Sequence, residues 1–212
     1  MSLTVKICGI TDAEALKAAI EDGAAYAGFV FYENSPRFLS IGAARALAER
    51  VPKPMTPVGL FVDPTDEEVR AVLREVPLGM IQLHGDETPS RVAALTAMTG
   101  LPIMKALGVA SAADLDRAKD YTAAAMLLFD AKPAQDAERP GGNATAFDWG
   151  LLQGRDFGKP WLLAGGLNAD NLAEAVRQSG ARGVDVSSGV EDRPAHKDPV
   201  KIREFMDMAK RL

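Results

Sequence analysis

Thr4-Val5-Lys6-Ile7-Cys8, followed at once by Gly9-Ile10-Thr11, decides how this chain is read. The first five residues are β-branched or apolar apart from Lys6, and the glycine closes the run, so the stretch reads as a strand ending in a turn. Side chains alternate along a strand, so Lys6 and Cys8 share one face. Cys8 is the only cysteine in the protein. In a barrel of alternating strands and helices, the C-terminal ends of the strands carry the chemistry, and Cys8 occupies such an end.

Outward from this strand the same kind of run recurs. Residues 4–8, 26–31, 56–62, 80–84, 102–106, 124–130, 161–164 and 183–187 are short, apolar and separated mostly by helix-sized segments. Most are too uniformly apolar to face water on one side, which suits a parallel sheet covered by helices. Thr11-Asp12-Ala13-Glu14 and Thr65-Asp66-Glu67-Glu68 fit capping boxes. Thr88-Pro89 and Asp198-Pro199 fit N-caps with proline in the first turn. Val69, Val72, Leu73 and Val76 form one apolar stripe at helical spacing; Ile202, Phe205, Met206 and Ala209 form another. The expectation is a single α/β domain over residues 1–212, a closed (β/α)8 TIM barrel. An open doubly wound sheet is the competing architecture. Two irregular stretches, 32–40 and 131–147, each follow a strand and belong on the functional face of such a barrel.

Composition narrows the partners. A net charge of −5 gives no electrostatic reason to expect nucleic acid or an anionic membrane. A single cysteine excludes an intrachain disulfide and a multi-cysteine zinc site. No apolar run approaches the roughly 20 residues of a bilayer span, and no basic-then-apolar leader opens the chain. A cytoplasmic protein is expected, monomeric or homodimeric, with no metal and no cofactor.

Polar residues inside apolar strands are the useful signal, because burying them unpaired costs several kcal/mol each, roughly. Lys6 and Cys8, Gln82 and His84, Met126, Leu128 and Asp130, and Asp185 and Ser187 each share a face. Pointed inward, they line the upper barrel. Cys8 reads either as an inert buried thiol or as a base or nucleophile activated by nearby cations. Asp130 is either a turn former or a general acid. Lys6 and Asp185 fall on strands that adjoin in a closed barrel, and read first as an interior ion pair. His84 is either a hydrogen-bonded core histidine or a substrate contact. Lys105 is either paired with a core carboxylate or a Schiff-base lysine. Arg37, in a loop stiffened by Pro36, is either solvated or able to bind a carboxylate with its fork. Late in the chain, Ala164-Gly165-Gly166-Leu167 and Ser187-Ser188-Gly189-Val190-Glu191 end the last two strands. Asn168 stands ready to cap the next helix. Loops after the seventh and eighth strands are the usual phosphate site of this fold. The residues alone describe a barrel enzyme acting on a phosphorylated small molecule.

In the order and spacing of these segments the chain resembles the phosphoribosylanthranilate isomerases of tryptophan biosynthesis. The likeness runs through Lys6-Ile7-Cys8-Gly9-Ile10-Thr11, Gly28-Phe29-Val30-Phe31, Ser35-Pro36-Arg37, Gln82-Leu83-His84-Gly85-Asp86-Glu87 and Phe129-Asp130. It continues through Phe147-Asp148-Trp149, Ala164-Gly165-Gly166-Leu167, Asp185-Val186-Ser187-Ser188-Gly189-Val190-Glu191 and Lys197-Asp198. The resemblance implies an Amadori rearrangement of N-(5-phosphoribosyl)anthranilate to 1-(2-carboxyphenylamino)-1-deoxyribulose 5-phosphate. It implies Asp130 as general acid at the ring oxygen and Cys8 as general base at sugar carbon 2. Arg37 would hold the anthranilate carboxylate, Asp185 would stand near the sugar, and Gly166, Ser188 and Gly189 would contact phosphate. Lys6 is expected to lower the thiol pKa.

The chain departs from that pattern in two places. Gly141-Gly142-Asn143-Ala144 replaces Gly-Gly-Thr-Gly, and Ala195-His196 stands where a glycine usually precedes Lys197-Asp198. Competing readings are a two-aspartate isomerase of histidine biosynthesis, a Schiff-base aldolase, and a catalytically dead phosphosugar-binding barrel. Cys8 in place of the first aspartate argues against the first. The presence of both Cys8 and Asp130 argues against the last.

Overall fold

A computed structural model describes residues 3–132 and 147–212. Its strands are β1 (Thr4–Cys8), β2 (Tyr26–Val30), β3 (Thr56–Phe61), β4 (Met80–Leu83), β5 (Ile103–Val109), β6 (Met126–Ala131), β7 (Trp161–Leu163) and β8 (Gly183–Val186). All pair in parallel, each with the next, and β8 returns to β1. The closing register matches Thr4 with Gly183, Val5 with Val184, Lys6 with Asp185 and Ile7 with Val186. That seam excludes the open sheet. β1 has the ends read in the sequence, and the ends of the other strands agree to within three residues, the ordinary uncertainty of a frayed terminus.

Alternation along the strands builds two cores. Val58, Met80, Met104, Ala106, Met126, Leu128, Leu162 and Ala164 fill the barrel, with Cys8, Val30 and Leu60 packed above them. The intervening residues, among them Ile7, Phe29, Phe61, Ile81, Leu127 and Phe129, face outward into one large core shared with the helices. Both faces are therefore buried, which is why the strands read as unbroken apolar runs.

The helices are α1 (Ala13–Glu21), α2 (Ile41–Ala48), α3 (Asp66–Glu75), α4 (Pro89–Thr99), α5 (Ala112–Asp116), α6 (Leu172–Ser179) and α7 (Pro199–Lys210). Thr65 and Glu68 complete the expected capping box, while Thr88 and Asp198 cap α4 and α7 ahead of their prolines. Two caps differ. Asp12, not Thr11, caps α1 by accepting from the Ala15 N–H. Thr11 is drawn away because its hydroxyl donates to Ala195 O, across the barrel end. Asn171 is the residue before α6, while Asn168 accepts from the N–H groups of Asp170 and Asn171 in the preceding turn. Between β8 and α7 the chain makes a short 3-10 turn (Ser188–Val190) and a hairpin of β9 (Glu191–Arg193) and β10 (His196–Lys197). Gly141-Gly142-Asn143-Ala144 and most of the stretch 131–147 lie outside the described residues. No helix among the described residues is long and apolar enough to cross a membrane.

Candidate active site

Lys6 is a charged group inside the barrel. Its side chain is fully buried and its Nζ donates to Asp185 Oδ1 at 2.9 Å. Gly28 on β2 makes room for it. A Cβ there would lie 3.1 Å from Lys6 Nζ and 3.2 Å from Cys8 Sγ. Burial pulls the Lys6 pKa down, but Asp185 and the Cys8 thiol more than offset this, and the ammonium is retained. The expected interior ion pair is present.

Cys8 lies directly above, at the end of β1, and is buried. Burial pushes its thiol above the ordinary value. Lys6 pulls it down and Asp185 pushes it up again. Lys6 lowers the thiol as expected, but desolvation outweighs it and the net shift is upward. The resting group is a thiol, and Lys6 is the largest influence favouring its thiolate.

Asp130 ends the interior row Met126, Leu128, Asp130 on β6. Its Oδ1 accepts from the Ala131 N–H at 2.8 Å, and its Oδ2 lies 3.3 Å from His84 Nε2. The other imidazole nitrogen, Nδ1, lies 2.8 Å from the Gln82 amide nitrogen. Gln82 is wholly buried and its Oε1 has no partner among the described residues. Gly165, at φ +91°, lets the loop after β7 approach, since a Cβ there would stand 2.9 Å from Ala131 N and 3.1 Å from Asp130 Oδ1. Asp185 links the two halves. Burial raises its pKa, Lys6 opposes this, Asp130 adds to it and His84 opposes it. Cys8, Lys6, Asp185, His84 and Asp130 thus belong to one electrostatic cluster at the mouth.

Gly166 (φ +65°) turns the loop after β7, and Ser188 and Gly189 turn the loop after β8. The two loops touch so closely that a Cβ on Gly189 would collide with Leu167 O. The N–H groups of Gly166, Ser188 and Gly189 have no acceptor among the described residues. Two turns presenting such donors side by side have the geometry to receive an anion.

Arg37 is not the solvated side chain that was one of its two readings. It is buried, and its fork is already engaged by Glu191, with Nε to Oε1 at 2.6 Å and Nη2 to Oε2 at 2.9 Å. Lys197 Nζ shares Glu191 Oε1 at 2.6 Å. Gly9, at φ +76°, lets the Arg37 stem pass over the end of β1, with Cδ only 2.5 Å from where a Cβ would be. Lys105 points outward, not into the mouth. Its Nζ donates to Glu87 Oε2 and Gly85 O, both at 2.7 Å, and it is 1% exposed. A lysine so paired is no Schiff-base nucleophile, which removes the aldolase reading. Glu191, Lys197 and the space over Gly28 carried no role in the sequence. The only signal was a charged residue beside each of two apolar or capping motifs, Val190-Glu191 and Lys197-Asp198.

A family model described as N-(5'phosphoribosyl)anthranilate (PRA) isomerase matches residues 5–208. The N-(5'-phosphoribosyl)anthranilate isomerase of Paracoccus denitrificans is 57% identical over 99% of this chain and 98% of its own length. Among solved structures, the phosphoribosyl anthranilate isomerase of Thermotoga maritima superposes with a TM-score of 0.89 at 37% identity, covering 99% of this chain and 100% of that one. Another phosphoribosyl anthranilate isomerase structure, in complex with reduced 1-(o-carboxyphenylamino)-1-deoxyribulose 5-phosphate, gives a TM-score of 0.86 at 35% identity over 99% and 100% of the two chains. With the barrel, the mouth cluster and full-length likeness in agreement, the chain belongs to the N-(5'-phosphoribosyl)anthranilate isomerase family.

Proposed function

We propose that this barrel is a single-domain cytoplasmic isomerase that converts N-(5-phosphoribosyl)anthranilate to 1-(2-carboxyphenylamino)-1-deoxyribulose 5-phosphate, a step of tryptophan biosynthesis. The observation that carries the reading is a buried thiol at the C-terminal end of β1 and a buried carboxyl at that of β6, both on the interior of one closed barrel. The rearrangement moves protons at two sites of one substrate. A proton goes to the furanose ring oxygen as the ring opens, and another leaves sugar carbon 2. Asp130 delivers the first and Cys8 takes the second. Each group contributes about 10²–10⁴-fold.

The supporting groups follow from charge. Lys6 beneath Cys8 stabilises the thiolate form. His84 holds Asp130 in place from one side and the Ala131 N–H from the other. Gly166, Ser188 and Gly189 receive the phosphate through backbone N–H groups. Arg37 meets the substrate carboxylate, and the free oxygen of Asp185 faces the sugar. The ligand in the solved relative, a carboxyphenylamino deoxyribulose phosphate, has the aryl carboxylate, sugar and phosphate that these groups suit. The test is incubation of the purified protein with N-(5-phosphoribosyl)anthranilate while its fluorescence is followed. Catalysed loss of signal supports the proposal; a rate equal to that of buffer overturns it.

A further inference from the structure

Glu191 receives two buried cations. Arg37 addresses it side-on through Nε and Nη2, and Lys197 donates to Oε1 while also bonding Ser187 O at 3.0 Å and Ser187 Oγ at 3.1 Å. The side chains of Arg37, Glu191 and Lys197 are 8%, 6% and 0% exposed. Burial pushes the Glu191 pKa up, but Arg37 and Lys197 outweigh it and the carboxylate stays ionised. Two cations on one anion leave the cluster with one net positive charge. A guanidinium holds five N–H donors in one fixed plane. Glu191 uses one edge. The other, formed by Nη1 and the remaining Nη2 hydrogen, meets no acceptor among the described residues. That edge can receive a second carboxylate bidentately without displacing Glu191. It belongs to a side chain lying over Gly9, next to Cys8.

We propose that Glu191, seconded by Lys197, is a positioning residue that fixes Arg37 with its free edge toward the barrel mouth, and so sets selectivity for a substrate whose aryl amine carries a carboxylate. The proposal rests on the isomerase reading. Arginine has many rotamers and sits here in a loop; without a buried anion its head would turn to water. The net charge matters as well, since an incoming carboxylate neutralises the cluster instead of overloading it. Ser187 ties the same cluster to the catalytic strand, because its hydroxyl donates to Cys8 O at 3.1 Å.

The test compares N-(5-phosphoribosyl)anthranilate with N-(5-phosphoribosyl)aniline, which lacks the carboxylate. In Glu191→Gln, KM for the anthranilate rises on the order of tenfold or more, while kcat and the kinetics of the aniline stay near wild type. Lys197→Gln shifts selectivity the same way by a smaller factor. Equal loss on both substrates marks a merely structural role and overturns the proposal, as does unchanged selectivity. If Glu191→Gln fails to fold, Glu191→Asp carries the same comparison, because it keeps the charge and withdraws it by one methylene. Turnover of neither substrate by the wild type overturns the isomerase reading itself.

Discussion

At the scale of the residue, Cys8 turns on a contest between burial and one ammonium. Burial raises the thiol pKa, and Lys6 is the largest opposing influence. Each unit above the working pH costs about tenfold in thiolate, or about 1.4 kcal/mol. A base works deprotonated, and the fraction of Cys8 present as thiolate rises with pH through a titration that lies above the ordinary thiol value of 9.0. Exchanging the whole ion pair, Lys6→Met with Asp185→Asn, removes the largest influence opposing burial together with the smaller one of Asp185 that reinforces it, and leaves only Lys197 in opposition. The thiol should then titrate higher still. Thiolate absorbance against pH reports this once the same titration of Cys8→Ala, which carries the three tyrosines but no thiol, is subtracted. An unchanged titration contradicts the role given to Lys6. Ala195 shows backbone strain at the same scale. It sits at φ +66°, where a side chain crowds the backbone, and it is held there by Thr11 and Glu191. Ala195→Gly should raise stability by about 0.5–1 kcal/mol, read as a higher midpoint in urea. A lower midpoint shows the strain to be absent.

At the scale of the element, the loops after β7 and β8 work as a pair. Gly189 is fixed by contact with Leu167 O. Gly189→Ala must push these loops apart, so KM for the phosphorylated substrate should rise by about tenfold or more, as expected for a misplaced anion site. Steady-state kinetics checks it, and an unchanged KM would place the phosphate elsewhere. These glycine pairs were legible because turn chemistry is local. Lys6 facing Asp185 was legible too, once eight repeats implied that the first and last strands adjoin. The partner of Arg37 was not. Glu191 lies 154 positions away and reaches it from a hairpin that no periodicity announced. Thr11 misled for a similar reason: its motif fits a cap, but a long-range bond to Ala195 competes for its hydroxyl. The inward and outward faces could be read by counting twos, which put Lys6, Cys8, Gln82, His84 and Asp130 correctly inside. The net pKa of Cys8 could not, because it depends on how completely the neighbours exclude water.

At the scale of the whole molecule, closure of β8 on β1 sets Lys6, beneath Cys8, beside Asp185, which shares one charge cluster with Asp130. The helices seal that barrel from outside. Phe205 on α7 is fully buried among them. Phe205→Ala should cost about 3–5 kcal/mol in denaturant unfolding, while activity per folded molecule survives. Loss of activity without loss of stability would mean that α7 shapes the mouth directly. The central claim is that two side chains on separate strands, β1 and β6, divide the proton transfers. It is tested most directly by kcat of wild type, Cys8→Ala and Asp130→Asn on N-(5-phosphoribosyl)anthranilate. Both variants should fold like the wild type and lose at least about 10²-fold in kcat; wild-type turnover in either one contradicts the account.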